Sequence, residues 1–190
     1  MKTLEENLAQ YAAYHRDRRN IATHFAGIPM IVLAIVIAGA SVAIPVGSMA
    51  VTLAAAASIA ACIYYFRLDF IFGVTMAVAL FLACAAASET LARLGTGGAL
   101  GVAAALFVAG WALQFLGHRF EGMKPAFFDD VRQLLIGPLF VCAETYFLVG
   151  ARTALRAAIE ARVGPVVARR IPPGTRTQRY VASDSSRLSD

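Results

Sequence analysis

The sequence predicts an all-α, polytopic membrane helix bundle: about four transmembrane helices, an N-terminal amphipathic helix and a membrane-associated C-terminal helix. Three observations carry this prediction. Hydrophobic residues make up 59% of the 190-residue chain, and the mean hydropathy is +0.66. Charged residues make up only 15%, against about 25% in soluble domains. Apolar runs approaching the roughly 20 residues that a bilayer requires follow one another, separated by Pro, Gly or charged residues.

Taken in order, Thr3 and Glu6 form a capping-box pattern, and Leu4, Leu8, Tyr11 and His15 then fall at helical spacing. An amphipathic helix is therefore expected from about residue 4. The N-terminus is too polar for a signal peptide, so the first apolar segment reads as a retained span over about 28–44, closed by Pro45 and Gly47. A second follows over about 48–66, and a third over about 70–87 after the short turn Arg67-Leu-Asp69. The polar, glycine-rich stretch Ser88 to Gly98 reads as a loop, and the fourth span covers about 99–117. A further apolar stretch, 134–149, contains Gly137, Pro138 and Glu144. As a span it would export the arginine-rich tail, so it reads as a helix in the interface or packed on the bundle.

Four spans put both termini on one side of the membrane. Arg16, Arg18 and Arg19 precede the first span, and Arg119, Lys124 and Arg132 follow the fourth. By the positive-inside tendency that side is cytoplasmic, in the inner membrane of a bacterium or the endoplasmic reticulum of a eukaryote. Residues 151–190 hold eight arginines against Glu160, Asp184 and Asp190, which accounts for the net charge of +5. The chain thus divides into a membrane-embedded domain, 1–151, and a basic, flexible tail, 152–190, near anionic lipid headgroups. No aromatic side chains are interleaved in the tail at base-stacking spacing, which disfavours nucleic acid as a partner. Oligomeric state is not legible. Cys62, Cys84 and Cys142 lie far apart in apolar sequence and read as buried thiols.

Polar groups concentrate where the fourth span ends. On a helix Gln114, His118 and Glu121 are spaced i, i+4 and i+7, so an amide, an imidazole and a carboxylate share one face. His15 and His24 lie just before the first span, and with His118 they are the chain's three histidines. Under four-span topology all three meet the same membrane surface. Neutral imidazoles suit first-row metals, and three nitrogens, or two with the Glu121 carboxylate, leave positions open for substrate and oxygen. Asn20, Gln114 and Glu144 are candidates to hold ring N–H groups. His15 and His24 are nine residues apart, a half-turn on a straight helix, so a shared site needs a bend; Gly27 and Pro29 offer one downstream.

Other readings stand beside a metal enzyme. One is a haem-bearing electron carrier with His24 and His118 as axial ligands; another is a small transporter or scaffold in which the histidines only pack. A di-iron histidine-box enzyme is disfavoured because three imidazoles are too few. A serine hydrolase lacks a nucleophile elbow.

The blocks His15-x4-Asn20-x3-His24-x2-Gly27-x-Pro29, Gln114-x2-Gly117-His118-x2-Glu121-x3-Pro125-Ala126 and Gly137-Pro138-x5-Glu144 resemble the signature of the membrane 2-hydroxy fatty acid dioxygenase family over about residues 5–150. The resemblance implies an enzyme of fatty acid α-oxidation that uses iron, as Fe(2+), and dioxygen, without 2-oxoglutarate, to shorten a 2-hydroxy fatty acid by one carbon. It implies essential roles for His15, His24 and His118, and it matches Glu121, Asn20, Gln114 and Glu144 to motif positions. Arg16, Arg19, Arg119 and Lys124 are candidates for the substrate carboxylate, or else contacts to lipid phosphate.

Overall fold

The computed structural model describes residues 2–47, 49–126 and 129–168. Among the described residues, six helices and one β-hairpin follow in the order α1 Leu4–Ala12, α2 Arg18–Ala40, β1 Ala43–Val46, β2 Met49–Thr52, α3 Leu53–Leu68, α4 Phe70–Glu121, α5 Gln133–Leu148 and α6 Thr153–Val163. The Thr3–Glu6 capping box forms as the sequence predicts and starts α1. Helix α2 has 23 residues, which at about 1.5 Å each reach about 34 Å, enough to cross a bilayer.

Helix α4 spans 52 residues but is broken at Gly95, where φ is 64° and ψ 175°, a conformation open mainly to glycine. The chain folds back there. Ala87 and Ala103 join one cluster with Val36 and Ile37, and Met76 and Phe107 line one cavity, although an unbroken helix would separate the second pair by about 46 Å. The two limbs, 70–94 and 96–121, are the third and fourth rods of an antiparallel bundle with α2 and α3. By length and composition alone, α2 and α4 are long and apolar enough to cross a membrane, α5 with α6 form a bent pair at 116°, and α3 is shorter. Ile35, Ile59, Phe81, Leu82 and Val108 present exposed apolar surface, as lipid contact requires.

Three details differ from the sequence reading. The stretch 88–98 is helical except at Gly95, because residues 88–94 contain no breaker and Glu89 pairs with Arg93 one turn on. The segment before α3 is a hairpin, Ala43↔Thr52 to Val46↔Met49, favoured by the β-branched Ile44, Val46 and Val51 and by Gly47, whose positive φ of 62° lets the chain turn after Val46. Finally, Gly27 and Pro29 lie inside a continuous α2. The bend between His15 and His24 is upstream, in residues 13–17, where Asp17 caps α2 by accepting from the Arg19 N–H.

Gly27 is needed for contact, not for a break. A Cβ there would lie 2.9 Å from the Gly110 carbonyl oxygen, and one at Gly110 would lie 2.9 Å from that of Gly27, so α2 and α4 touch backbone to backbone. One further contact lies nearer the histidines: a Cβ at Gly117 would overlap Thr23 Oγ1 and Asn20 Oδ1 and press on His24 Nδ1 at 3.2 Å. Gly117→Ala is expected to destabilise the protein by about 1–3 kcal/mol. Gly101→Ala meets nothing within 4 Å and should be neutral or stabilising by about 0.5–1 kcal/mol. Thermal unfolding of the two variants in detergent reads the contrast.

Helices α1, α5 and α6 gather at the end of the bundle opposite Gly95. Helix α5 has the extent the sequence predicts and packs Ile136, Leu139, Phe140 and Ala143 into the larger core. Helix α6, assigned from sequence to the tail, docks on α1 through Arg162 to Glu5 at 2.6 Å. The chain then threads onto the 13–17 turn: Val167 N–H donates to the Arg16 carbonyl at 2.9 Å and Arg18 N–H to that of Val167 at 3.2 Å. The expected flexible tail beyond residue 168 lies outside the described residues. All three cysteines are free thiols.

Candidate metal centre

His15 stands in the turn after α1, His24 two turns into α2, and His118 in the last turn of α4. All three are buried, at 0%, 1% and 6% exposure. His15 Nδ1 lies 2.7 Å from the Tyr11 carbonyl oxygen, and His24 Nδ1 lies 2.8 Å from that of Asn20. A carbonyl only accepts, so each ring carries its proton on Nδ1 and its lone pair on Nε2. Those two Nε2 atoms face one another at 3.0 Å. Two lone pairs in that position repel unless a cation stands between or beside them.

His118 completes the set. Its Nδ1 is buried without a partner among the described residues. The three rings offer nitrogens that lie within 4.8 Å of one another. Imidazole nitrogens at about 2.0–2.1 Å from one ion stand about 3–3.5 Å apart; the His15–His24 pair at 3.0 Å meets that spacing, and the His118 nitrogen lies near enough for the three to hold a first-row metal after a small closure. Burial, together with the neighbouring His24 and His118 rings, holds the His15 pKa well below the usual imidazole value, which keeps it in the neutral, ligating form. Tyr11 stacks flat on His15, with ring centroids 4.1 Å apart and planes within 1°. That contact locks the ring's orientation.

The other sequence candidates divide by location. Glu121 is 3% exposed, and its Oε2 accepts from the backbone N–H groups of Arg16 at 3.0 Å and Asp17 at 2.7 Å and from Asn20 Nδ2 at 3.3 Å. The carboxylate thus clamps the turn that carries His15 and complements the N-terminus of α2. Asn20 serves His24 through its backbone carbonyl, while its side chain bridges Tyr14 and Glu121. Gln114 lies one turn before His118 and lines the cavity beside it. Glu144 lies within electrostatic reach of Arg16 and does not line the cavity beside the histidines.

Arg16 is buried, with Nε donating to Ala12 and His15 carbonyls and Nη1 to Gly164. Arg19 pairs with Asp17 at 2.8 Å and covers the Phe120 ring. Lys124 pairs with Asp129, and Arg119 is exposed. None of these four basic side chains lines the cavity at the histidines. Two residues absent from the sequence reading do, Gln133 and Trp111. Trp111 stands seven residues before His118 and three before Gln114, a helical spacing that marks their shared face; Gln133 follows no such spacing, so only the fold brings it in.

That cavity, about 300 Å³, reaches from Tyr11, His24 and His118 into the bundle. It shares Val32, Ile35, Phe107, Leu134 and Pro138 with an almost wholly apolar cavity of about 860 Å³ between α2, α3 and the limbs of α4. The two lie end to end: imidazoles at one end, hydrocarbon-like walls beyond.

Comparison with known proteins identifies the family. The family described as 2-hydroxy-palmitic acid dioxygenase Mpo1-like matches residues 1–149. The 2-hydroxy-palmitic acid dioxygenase MPO1 of Saccharomyces cerevisiae is 30% identical over 160 residues, covering 83% of this chain and 87% of the yeast protein. No solved structure matches. The match spans all three histidines and the helices that carry them, and the chain belongs to the Mpo1-like family, the membrane 2-hydroxy fatty acid dioxygenases whose signature blocks it carries.

Proposed function

We propose that the protein is an iron(II)-dependent dioxygenase that shortens 2-hydroxy fatty acids by one carbon, using O2, in α-oxidation. The observation that carries this reading is the convergence of three buried imidazoles, two of which, His24 and His118, line one end of a long apolar cavity, in a member of this family. His15, His24 and His118 would hold the iron, which when bound supplies the Lewis acidity and redox chemistry for cleaving C1 from C2.

The remaining work falls to the chain. Tyr11 stacking and the carbonyls of Tyr11 and Asn20 fix the imidazoles, so little reorganisation accompanies substrate entry. The acyl chain runs from the histidines past Ile35, Phe107 and Pro138 into the larger cavity, where burying each methylene contributes about 0.8 kcal/mol. Those walls also exclude water from the head group, which strengthens every polar contact to it. Holding the head in one orientation converts an encounter into an effectively unimolecular step.

Geometry weighs against the rival readings. A haem held by His24 and His118 would compete with His15, whose Nε2 already stands 3.0 Å from that of His24. A purely structural role leaves facing lone pairs and a buried His118 Nδ1 unsatisfied, an expensive arrangement in an apolar interior. Arg18, Arg19, Arg119 and Lys124 gather at the histidine end, which supports a cytoplasmic position for that end and for both termini.

The test uses the full chain purified in detergent. Elemental analysis is expected to find iron near one equivalent, and 2-hydroxypalmitate is expected to give the one-carbon-shorter product under air but not with a chelator present. No product, or product indifferent to the chelator, overturns the reading.

A further inference from the structure

Two amides line the cavity beside the histidines, and each has one polar atom left over. Gln133 opens α5 at 2% exposure. Its amide acts on the Asp130 carboxylate as a hydrogen-bond donor does, helping to hold that carboxyl below its usual range after the larger effect of Arg132. A carboxylate accepts, so the amide nitrogen points to Asp130 and Oε1 is turned the other way. That Oε1 is buried with no partner among the described residues. Gln114, 5% exposed, lies over Gly27, where a Cβ would collide with its Nε2. That Nε2 is likewise buried without a partner among the described residues. The site therefore holds a spare acceptor and a spare donor next to His24 and His118.

The head of a 2-hydroxy acid has the opposite inventory: a hydroxyl that donates and a carboxylate that accepts. We propose that Gln133 and Gln114 read this head group, Gln133 Oε1 accepting the hydrogen bond of the 2-hydroxyl and Gln114 Nε2–H donating to the carboxylate. The inference rests on the reaction proposed above and names the groups that select its substrate. It also explains how a carboxylate is received where none of the four candidate cations lines the cavity. Neutral amides orient the head without neutralising it, so its charge is left for a cation held by the histidines. A buried acceptor placed for a hydroxyl rejects the analogue without one, because the acceptor then stays unpaired.

The two amides have separable signatures. Palmitate and 2-hydroxypalmitate share the carboxylate and the chain, so Gln114 acts on both and Gln133 on only one. Trp111, the single tryptophan, lines the same cavity, so its fluorescence reports entry of either acid without turnover. With purified, iron-loaded protein under anaerobic conditions, the wild type is expected to bind 2-hydroxypalmitate at least about 10-fold more tightly than palmitate. Partition into detergent differs between the two acids but is the same for every variant, so it cancels when the ratio is compared across variants.

Gln133→Met is expected to bring the ratio near one. Gln133→Asn, which keeps an amide and withdraws it by one methylene, should lower the ratio while preserving the fold. Gln114→Met should weaken both acids together, again by about 10-fold, and leave the ratio unchanged. A ratio unmoved by Gln133→Met or Gln133→Asn, or wild-type affinities in Gln114→Met, overturns the proposal while leaving the dioxygenase reading intact. A folded wild type that binds neither acid overturns both.

Discussion

Replacing His15, His24 or His118 singly with Ala is expected to remove the metal and lower turnover of 2-hydroxypalmitate at least about 100-fold, since loss of an outer partner of a ligand already costs about 10–100-fold. The magnitude follows from the small donor set: only these three buried side chains converge among the described residues, and two neutral imidazoles alone hold a labile ion weakly. Because the three act as one unit, the triple variant should be little worse than any single one. A second readout is thermal. Metal that binds only the folded protein raises its melting temperature by mass action, so added Fe(II) should stabilise the wild type and leave each variant unmoved. A single variant that keeps both its iron and its activity would remove that histidine from the site. Graded losses that add across the three positions would instead indicate packing roles.

Much of this site was legible in the sequence because topology alone constrains it. Three histidines at the ends of spans that share a side must meet one membrane face, and the structure brings their rings to centroid separations of 4.5, 4.9 and 5.1 Å. Thr3 and Glu6 marked a helix start because a capping box is a purely local device. The bend was misplaced for an instructive reason. Pro29 carries a strong local breaker signal, yet α2, packed against α4 through Gly27 and Gly110, runs on through it, and a helix within a bundle tolerates one lost backbone bond. Gly95 was lost within a polar stretch that reads as a loop; nothing short of the fold distinguishes a one-residue reversal from an eleven-residue connection. The basic side chains offered for the substrate carboxylate fall near the site in sequence but turn to carbonyls, carboxylates and solvent in space. Gln133 shows the converse. It lies 109 residues from His24 and 15 from His118, at no spacing that marks a shared face, and only the path of α5 across the bundle end brings it to the cavity.

Glu121→Ala separates a scaffold role from a ligand role and is expected to have the second-largest effect, on stability. The carboxylate receives two backbone N–H groups and the Asn20 amide in a buried site, and removing it orphans donors that water cannot reach. At about 1–3 kcal/mol for each buried donor left unpaired, partly relieved by relaxation, the loss should be about 3 kcal/mol. For a chain of this size that corresponds to roughly 6–12 °C in melting temperature. The loss should be present in metal-free, chelated protein, because the clamp holds the Ala13–Asp17 turn whether or not an ion is bound. His15→Ala, which leaves the clamp whole, should keep most of the metal-free stability and lose the metal. Glu121→Gln keeps one accepting oxygen but sets an amide N–H₂ in place of the other, so it should fall between Ala and wild type. If Glu121 were instead a metal ligand, Glu121→Ala would leave the chelated protein as stable as wild type and abolish only the stabilisation by added Fe(II). The metal-free melting temperature therefore decides between the two roles, and iron content follows: a loosened turn lets His15 drift from His24, so occupancy should fall in Glu121→Ala through geometry, and excess Fe(II) should restore part of it.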